Sequence, residues 1–190
     1  MIFLTALTVH NLYGQDNCFA KCFENFDKST VPIPERNHAI LQRLVGCQAP
    51  MFKVRTINGK PLTLAELQGK VVVINFWFIG CAPCISEMPA LNKLVEAYKG
   101  KDVVFIAFSR DDHKSLSEFL VKRQFNYEQV SADYELSKEY CILAGWPTNM
   151  VLDRQGVVRQ IFSGGSTSIE KARTEAYEKM RPTIDKYLLP

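Results

Sequence analysis

The run Val71-Val72-Val73-Ile74-Asn75-Phe76-Trp77-Phe78 constrains this chain more than any other feature. A β-branched and aromatic stretch this dense reads as a buried strand. Beyond it, Met88, Leu91, Leu94, Val95 and Tyr98 recur on one face at helical spacing. Cys81-Ala82-Pro83-Cys84 therefore falls at a strand-to-helix junction, where the first helical N–H groups point outward unpaired. A thiol placed there is acidified, because those donors and the helix dipole favour the thiolate. That is the physical requirement for thiol–disulfide exchange.

The strand has company. Val103 to Phe108 is a second buried strand, and strand, crossover helix and strand make a unit whose two strands run parallel. Upstream, Met51–Ile57, the Asn58-Gly59 turn and Lys60–Leu64 predict a hairpin, followed by a short turn of helix over Ala65–Gln68 closed by Gly69. Downstream, a helix is expected after Asp111-Asp112, from about Lys114 to Arg123. A short strand over Tyr127–Val130 and a helix over Asp133–Tyr140 follow. Thr148–Asp153 and Val157–Phe162 predict an antiparallel hairpin around Arg154-Gln155-Gly156. The last element is a long helix from Ser168 to about Leu188, in which Pro182 predicts a kink or break.

Three stretches are expected: residues 1–15, a helical lead-in over 16–45, and one folded domain over 46–190. In the lead-in, Cys18, Phe19, Cys22, Phe23 and Phe26 keep helical spacing. Val31-Pro32-Ile33-Pro34 interrupts it, and Glu35–Leu44 forms a second short helix. Ile2 to Val9 resembles the apolar middle of a secretory signal, although a basic lead-in and a small-residue cleavage site are missing. The alternative is a short packing segment; the run is too short for an anchor. A net charge of +3 without any Lys/Arg run argues against a nucleic-acid surface. Six cysteines point to an oxidising compartment, the cell envelope or the extracellular space.

Cys81 is the expected nucleophile, nearer the exposed helix end, and Cys84, one turn in, the resolving thiol. Pro83 is tolerated because the N–H it lacks would have had no helical partner. A static staple across so short a loop stabilises little. Zinc would need Cys18 and Cys22 at irregular spacing, and haem attachment fails because Ile85 follows Cys84. Glu87 follows Cys84 by three positions, on the same helix face. It has two readings: a half-buried carboxylate that shuttles the Cys84 proton, or a solvated first-turn acid complementing the helix dipole. Cys18 and Cys22 are four apart, about 5–6 Å between Cβ atoms in a helix, whereas a disulfide wants ~3.8 Å. Either Cys47 pairs with one of them, or all three are buried thiols. Cys141 and Trp77 read as core residues, and His10, His38 and His113 as solvated.

The segment Gly69-Lys70-Val71, Asn75-Phe76-Trp77, Cys81-Ala82-Pro83-Cys84 and Glu87-Met88-Pro89, with Gly145-Trp146-Pro147-Thr148 and Val151-Leu152-Asp153-Arg154-Gln155-Gly156 after it, resembles the TlpA/ResA-like envelope thioredoxins. The resemblance covers about residues 46–185. It implies an α/β, thioredoxin-like fold with a mixed central sheet flanked by helices, here preceded by a hairpin and the helical lead-in. It implies a cis Trp146–Pro147 bond facing the cysteine pair, with the Trp146 backbone free to pair with an extended substrate. An ordinary trans turn is the alternative. It also implies that an asparagine at Asn75 replaces the buried aspartate of thioredoxins, and that Glu87 takes part in the site. Gly80 departs from the tryptophan frequent in the family, and is expected to leave Cys81 more accessible and its loop less stiff.

The resulting expectation is a thiol–disulfide oxidoreductase of the bacterial cell envelope. It acts on protein thiols or disulfides through Cys81 and Cys84, without organic cofactor or metal, and needs a redox partner to recycle the pair. Reductase direction and a role in cytochrome c maturation come from the resemblance alone. A peroxiredoxin-like peroxidase would need an Arg and Thr/Pro environment that Phe78-Ile79-Gly80 does not supply. A binding module using the sheet and the Trp146 loop without redox turnover is the remaining rival.

Overall fold

A computed structural model describes residues 18, 19, 21, 22, 33–132, 134–140, 142, 145–166 and 168–189. The signal-like residues 1–15, His10, Phe23, Phe26 and Cys141 lie outside the described residues.

Helix α1 (Ile33–Gln42) is followed by strands β1 (Lys53–Arg55) and β2 (Pro61–Thr63), paired antiparallel with Lys53 opposite Thr63. Their turn places Gly59 at φ +79°, the left-handed conformation that Asn-Gly turns supply. A single 3₁₀ turn, Ala65–Leu67, leads into β3 (Val71–Trp77). The remaining elements are α2 (Ala82–Ala97), β4 (Val103–Ser109), α3 (His113–Lys122), β5 (Glu128–Ser131) and α4 (Tyr134–Glu139). They end with β6 (Thr148–Leu152), β7 (Val158–Ser163) and α5 (Ile169–Leu188).

The main sheet runs β5-β4-β3-β6-β7, with β3 parallel to β4 and antiparallel to β6. This is the mixed sheet of the thioredoxin-like expectation. All seven residues of β3 are buried, because strands flank it on both edges and apolar layers cover both faces. Its pleat divides the core. Val72, Ile74 and Phe76 enter the layer with Leu44, Leu64, Phe108 and Tyr140, whereas Val71, Val73 and Trp77 pack beneath α2, α3 and α5. Asn75 keeps the parity of Val73 and Trp77 and so faces α2. Trp77 is a core residue, wedged between Phe119 and Phe125. Asp112 caps α3 by accepting the Lys114 and Ser115 N–H groups, each at 3.0 Å.

Three details depart from expectation. Cys18, Phe19, Lys21 and Cys22 form turns, with the Cys22 N–H donating to the Phe19 carbonyl at 3.2 Å, where a regular helix was expected. Tertiary ties outweigh the local spacing there: Phe19 meets the Tyr140 ring edge-on, and Cys18 is bonded to Cys47. Helix α1 opens at Ile33, ahead of the expected Glu35, because Pro34 fits a first turn that has no use for its missing N–H. Helix α5 is unbroken at Pro182, so the break half of the kink-or-break expectation fails. Pro182 and Glu178, whose carbonyl loses its intrahelical partner, are both exposed, which leaves that carbonyl open to solvent.

Among the described residues no helix is long and apolar enough to cross a membrane.

Candidate functional site: the Cys81–Cys84 pair and the carboxylate behind it

Cys81 is the N-cap of α2, and its sulfur accepts the Cys84 backbone N–H at 3.2 Å. The two cysteines form a disulfide with Cα atoms 5.2 Å apart. The sequence places them here because β3 delivers the chain to the sheet's carboxyl edge. Phe78-Ile79-Gly80 then turns it, with the Cys81 N–H donating to the Phe78 carbonyl at 3.1 Å. Asp111, in the loop after β4, holds the same turn: its Oδ2 accepts the Ile79 N–H at 2.8 Å and the Ser109 hydroxyl at 2.7 Å.

The expectation that Gly80 leaves Cys81 accessible is corrected. Gly80 is exposed, but Cys81 is only 5% exposed and Cys84 1%. Both sulfurs belong to the apolar cluster under α2, against which Phe78, Ile79 and Trp146 pack. The bulk of Phe78 and Ile79 supplies the cover that a small residue at 80 withholds.

Glu87 is buried at 3% exposure, so the reading as a solvated first-turn acid fails. Its Oε1 accepts from Asn75 Nδ2 at 2.9 Å, and Asn149 Nδ2 donates to both Glu87 oxygens at 3.2 Å. Asn75 spends its second amide hydrogen on Asn149 Oδ1 at 2.9 Å, closing a triangle of three buried side chains. The sheet register makes this possible, since Asn75 on β3 lies directly opposite Asn149 on β6. Burial pushes the Glu87 carboxyl up to about 8, against the pull of the Asn149 and Asn75 hydrogen bonds. On α5, Glu175 adds to the rise and Lys179 opposes it. A carboxyl in that range, three residues from Cys84 on the same helix, can give or take a proton near neutral pH.

The Trp146–Pro147 bond is cis. The turn is tightened by the Thr148 hydroxyl, which donates to the Gly145 carbonyl at 2.6 Å. Gly145 has to be glycine, because a Cβ there would collide with the Ser163 side chain. Pro147 comes beside the cysteine motif at Gly165. A Cβ on that glycine would stand 3.3 Å from Pro147 Cγ, 3.5 Å from Pro83 Cβ and 3.6 Å from Glu87 Oε2. The structure thus gathers Cys81, Cys84, Glu87 and Pro147 in one place. Trp146 is half-buried and turns its ring edge-to-face onto Phe78, with centroids 5.7 Å apart.

Three residues of this neighbourhood escaped the sequence reading. Asn149 had a visible signal: like Asn75, it is the one amide side chain of a fully buried strand, and a buried amide needs partners. Gly165 and Arg110 gave none, since loop position alone does not announce proximity. Among the described residues no three His, Cys, Asp or Glu side chains gather as a metal site. Cys18 pairs with Cys47, and Cys22 is also disulfide-bonded. His113 is exposed, its Nε2 2.9 Å from the Ile57 carbonyl.

Residues 45–161 match the model of the AhpC/TSA family. The chain is 35% identical over 137 residues to thiol-disulfide oxidoreductase ResA of Bacillus thuringiensis subsp. konkukian, covering 71% of this chain and 77% of that one. It is 30% identical over 173 residues to the thioredoxin-like protein YneN of Bacillus subtilis, covering 90% of this chain and 89% of the relative. In fold it is similar to a Chlorobium tepidum crystal structure described as a candidate thiol:disulfide interchange protein DsbE. That likeness has a TM-score of 0.67 at 24% identity, over 76% of this chain and 98% of the other.

Proposed function

We propose, on the premise that the chain belongs to the AhpC/TSA family and is a TlpA/ResA-like thiol-disulfide oxidoreductase of thioredoxin fold, that it works as a protein-disulfide reductase outside the cytoplasm. The observation that carries this reading is the Cys81–Cys84 disulfide at the mouth of α2, with the Glu87 carboxyl buried behind it.

In the proposed cycle a dithiol protein partner first reduces the pair. Its thiolate attacks Cys81 Sγ, the Cys81–Cys84 bond breaks, and Cys84 leaves as a thiolate that takes its proton from neutral Glu87. The partner's second thiol displaces Cys81 and becomes the partner's disulfide. The Cys81 thiolate, favoured by the helix N-terminus, then attacks a client disulfide, and one client sulfur leaves as a thiolate. Cys84 returns its proton to Glu87, attacks Cys81 Sγ and expels the second client sulfur. Two electrons pass from the partner dithiol to the client, the partner's two protons go to solvent, the client's two leaving thiolates take theirs from solvent, and the Cys81–Cys84 disulfide is restored. No metal or organic cofactor enters the cycle. The Trp146 backbone, ahead of cis Pro147, pairs with an extended client strand.

Residues 46–190 form the exchanging domain in this reading, and 1–15 address the chain to the envelope. The lead-in over 16–45 is fastened to the domain by the Cys18–Cys47 bond. An oxidising compartment is supported by the absence of a free cysteine among the described residues.

The test is trapping. Cys84→Ser should accumulate a Cys81-linked adduct with protein clients, and Cys81→Ser should form none. Full function in a double variant lacking both thiols would favour a binding module, and peroxide consumption without a protein disulfide would favour a peroxidase. The equilibrium of the 81–84 disulfide against glutathione sets direction. A value near that of thioredoxin supports reduction, and one near that of a strong oxidant overturns it.

A further inference from the structure

Arg110 follows β4 in the loop that also holds Asp111, and its side chain reaches across to the aromatic rim of the site. The guanidinium carbon lies 3.8 Å from the centroid of the Phe78 ring and 5.8 Å from that of Trp146. Phe78 and Trp146 meet edge-to-face, so the three side chains form one stack. Each ring belongs to a segment that flanks the disulfide. The Phe78 carbonyl accepts the Cys81 N–H, and Trp146 is joined to Pro147.

Arg110 is exposed, and among the described residues no carboxylate pairs with it. The two acids that follow it in sequence are committed elsewhere. Asp111 Oδ2 is taken by the Ile79 N–H and the Ser109 hydroxyl, and Asp112 caps α3. Aromatic stacking engages the face of a guanidinium and leaves its in-plane N–H donors free, in the fork that matches a carboxylate. A cation already resting against a ring has lost part of its rotamer freedom, so a partner binds it at a smaller entropic cost.

We infer that Arg110 selects clients: it receives an aspartate or glutamate side chain carried within a few residues of the client cysteine that Cys81 attacks. This rests on the exchange reading above and adds the chemistry of the client segment. Arg110 touches no reacting atom, and its effect is on encounter and binding.

The experiment uses the reduced full chain and two disulfide-bonded peptides, identical except for Glu or Lys beside the attacked cysteine. Second-order rate constants are measured at low and at high salt. The Glu peptide should react about fivefold faster at low salt, the range of one exposed charge pair, with the advantage shrinking as salt screens it. The Glu-to-Lys ratio should fall to about one in Arg110→Met, stay above one in Arg110→Lys, and invert in Arg110→Glu. A wild-type ratio of one overturns the inference. So does a fall in both rates with the ratio kept in Arg110→Met, because that is the signature of a loop brace. If neither peptide is reduced by the wild type, the exchange reading itself fails.

Discussion

Asn75 Nδ2 donates to Glu87 Oε1 at 2.9 Å across the interface of β3 and α2, in the interior of the protein. A carboxyl held there is neutral below a pH of about 8 in the folded state and ionises near 4.5 in the unfolded chain. Between those values the folded state binds more protons, so stability is full below about 4.5 and is lost as pH rises through 8. The slope for one such site approaches ~1.4 kcal/mol per pH unit. Glu87→Gln should flatten this dependence and raise stability at pH 8. Urea denaturation of the oxidised protein at several pH values is the measurement. An unchanged slope in the variant would show that Glu87 carries its charge in the folded state.

Asn149 supplies two of the three hydrogen bonds to Glu87. Those bonds oppose the upward push of burial, so Asn149→Ala should raise the Glu87 midpoint further. The alkaline limb of the exchange rate should move up with it, and unfolding stability should drop by about 1–3 kcal/mol. Asn149→Asp should push the same limb higher still, because a second carboxylate beside Glu87 resists ionisation of the first. A pH–rate profile against a disulfide peptide checks both. Superimposable profiles in all three proteins would detach Glu87 from the rate.

The distribution of what could be read in advance follows from which interactions are local. The Val71–Phe78 run, the strand–helix junction at Cys81 and the Asn58-Gly59 turn are encoded within a few residues, and each stands where its pattern placed it. Glu87 was ambiguous because a helix position does not reveal what covers it. The cover comes from Asn75 and Asn149, 74 residues apart, which meet only through the antiparallel register of β3 and β6. The accessibility of Cys81 was misjudged for the same reason: Gly80 is a local feature, whereas Phe78 is packed by Trp146 from far along the chain. Pro182 does not break α5, and both it and Glu178, whose carbonyl it leaves without an intrahelical donor, are exposed.

The Cys18–Cys47 bond spans 29 positions and fastens the turn at Cys18–Phe19 to the segment entering the domain. In the chain-entropy account a loop of this length contributes about 3–4 kcal/mol. Cys18→Ser should therefore lower the thermal midpoint substantially, with Cys81–Cys84 exchange at 25 °C unchanged. Calorimetry paired with a disulfide-reduction assay separates the two. Loss of exchange in a variant that still unfolds cooperatively would mean that the lead-in helps to form the site.

Gly165 lies between Pro147, Pro83 and Glu87, and it is exposed while Glu87 is not. Its backbone lies outside the left-handed region, so a side chain there meets neighbours and not a strained φ. One methyl needs only a small shift of the Pro147 ring, and Gly165→Ala should fold normally. The branched side chain of Gly165→Val would fill the gap between the two prolines, where the proposed docking mode brings an extended client strand to the disulfide. Exchange with a protein disulfide should slow by about tenfold, equivalent to roughly 1.4 kcal/mol of lost docking. Reduction of the Cys81–Cys84 bond by dithiothreitol, which needs no strand pairing, should slow far less. Stopped-flow rates with both reagents test this, and an equal loss for the two would mean that the valine distorts the cysteine pair and leaves the client path untouched.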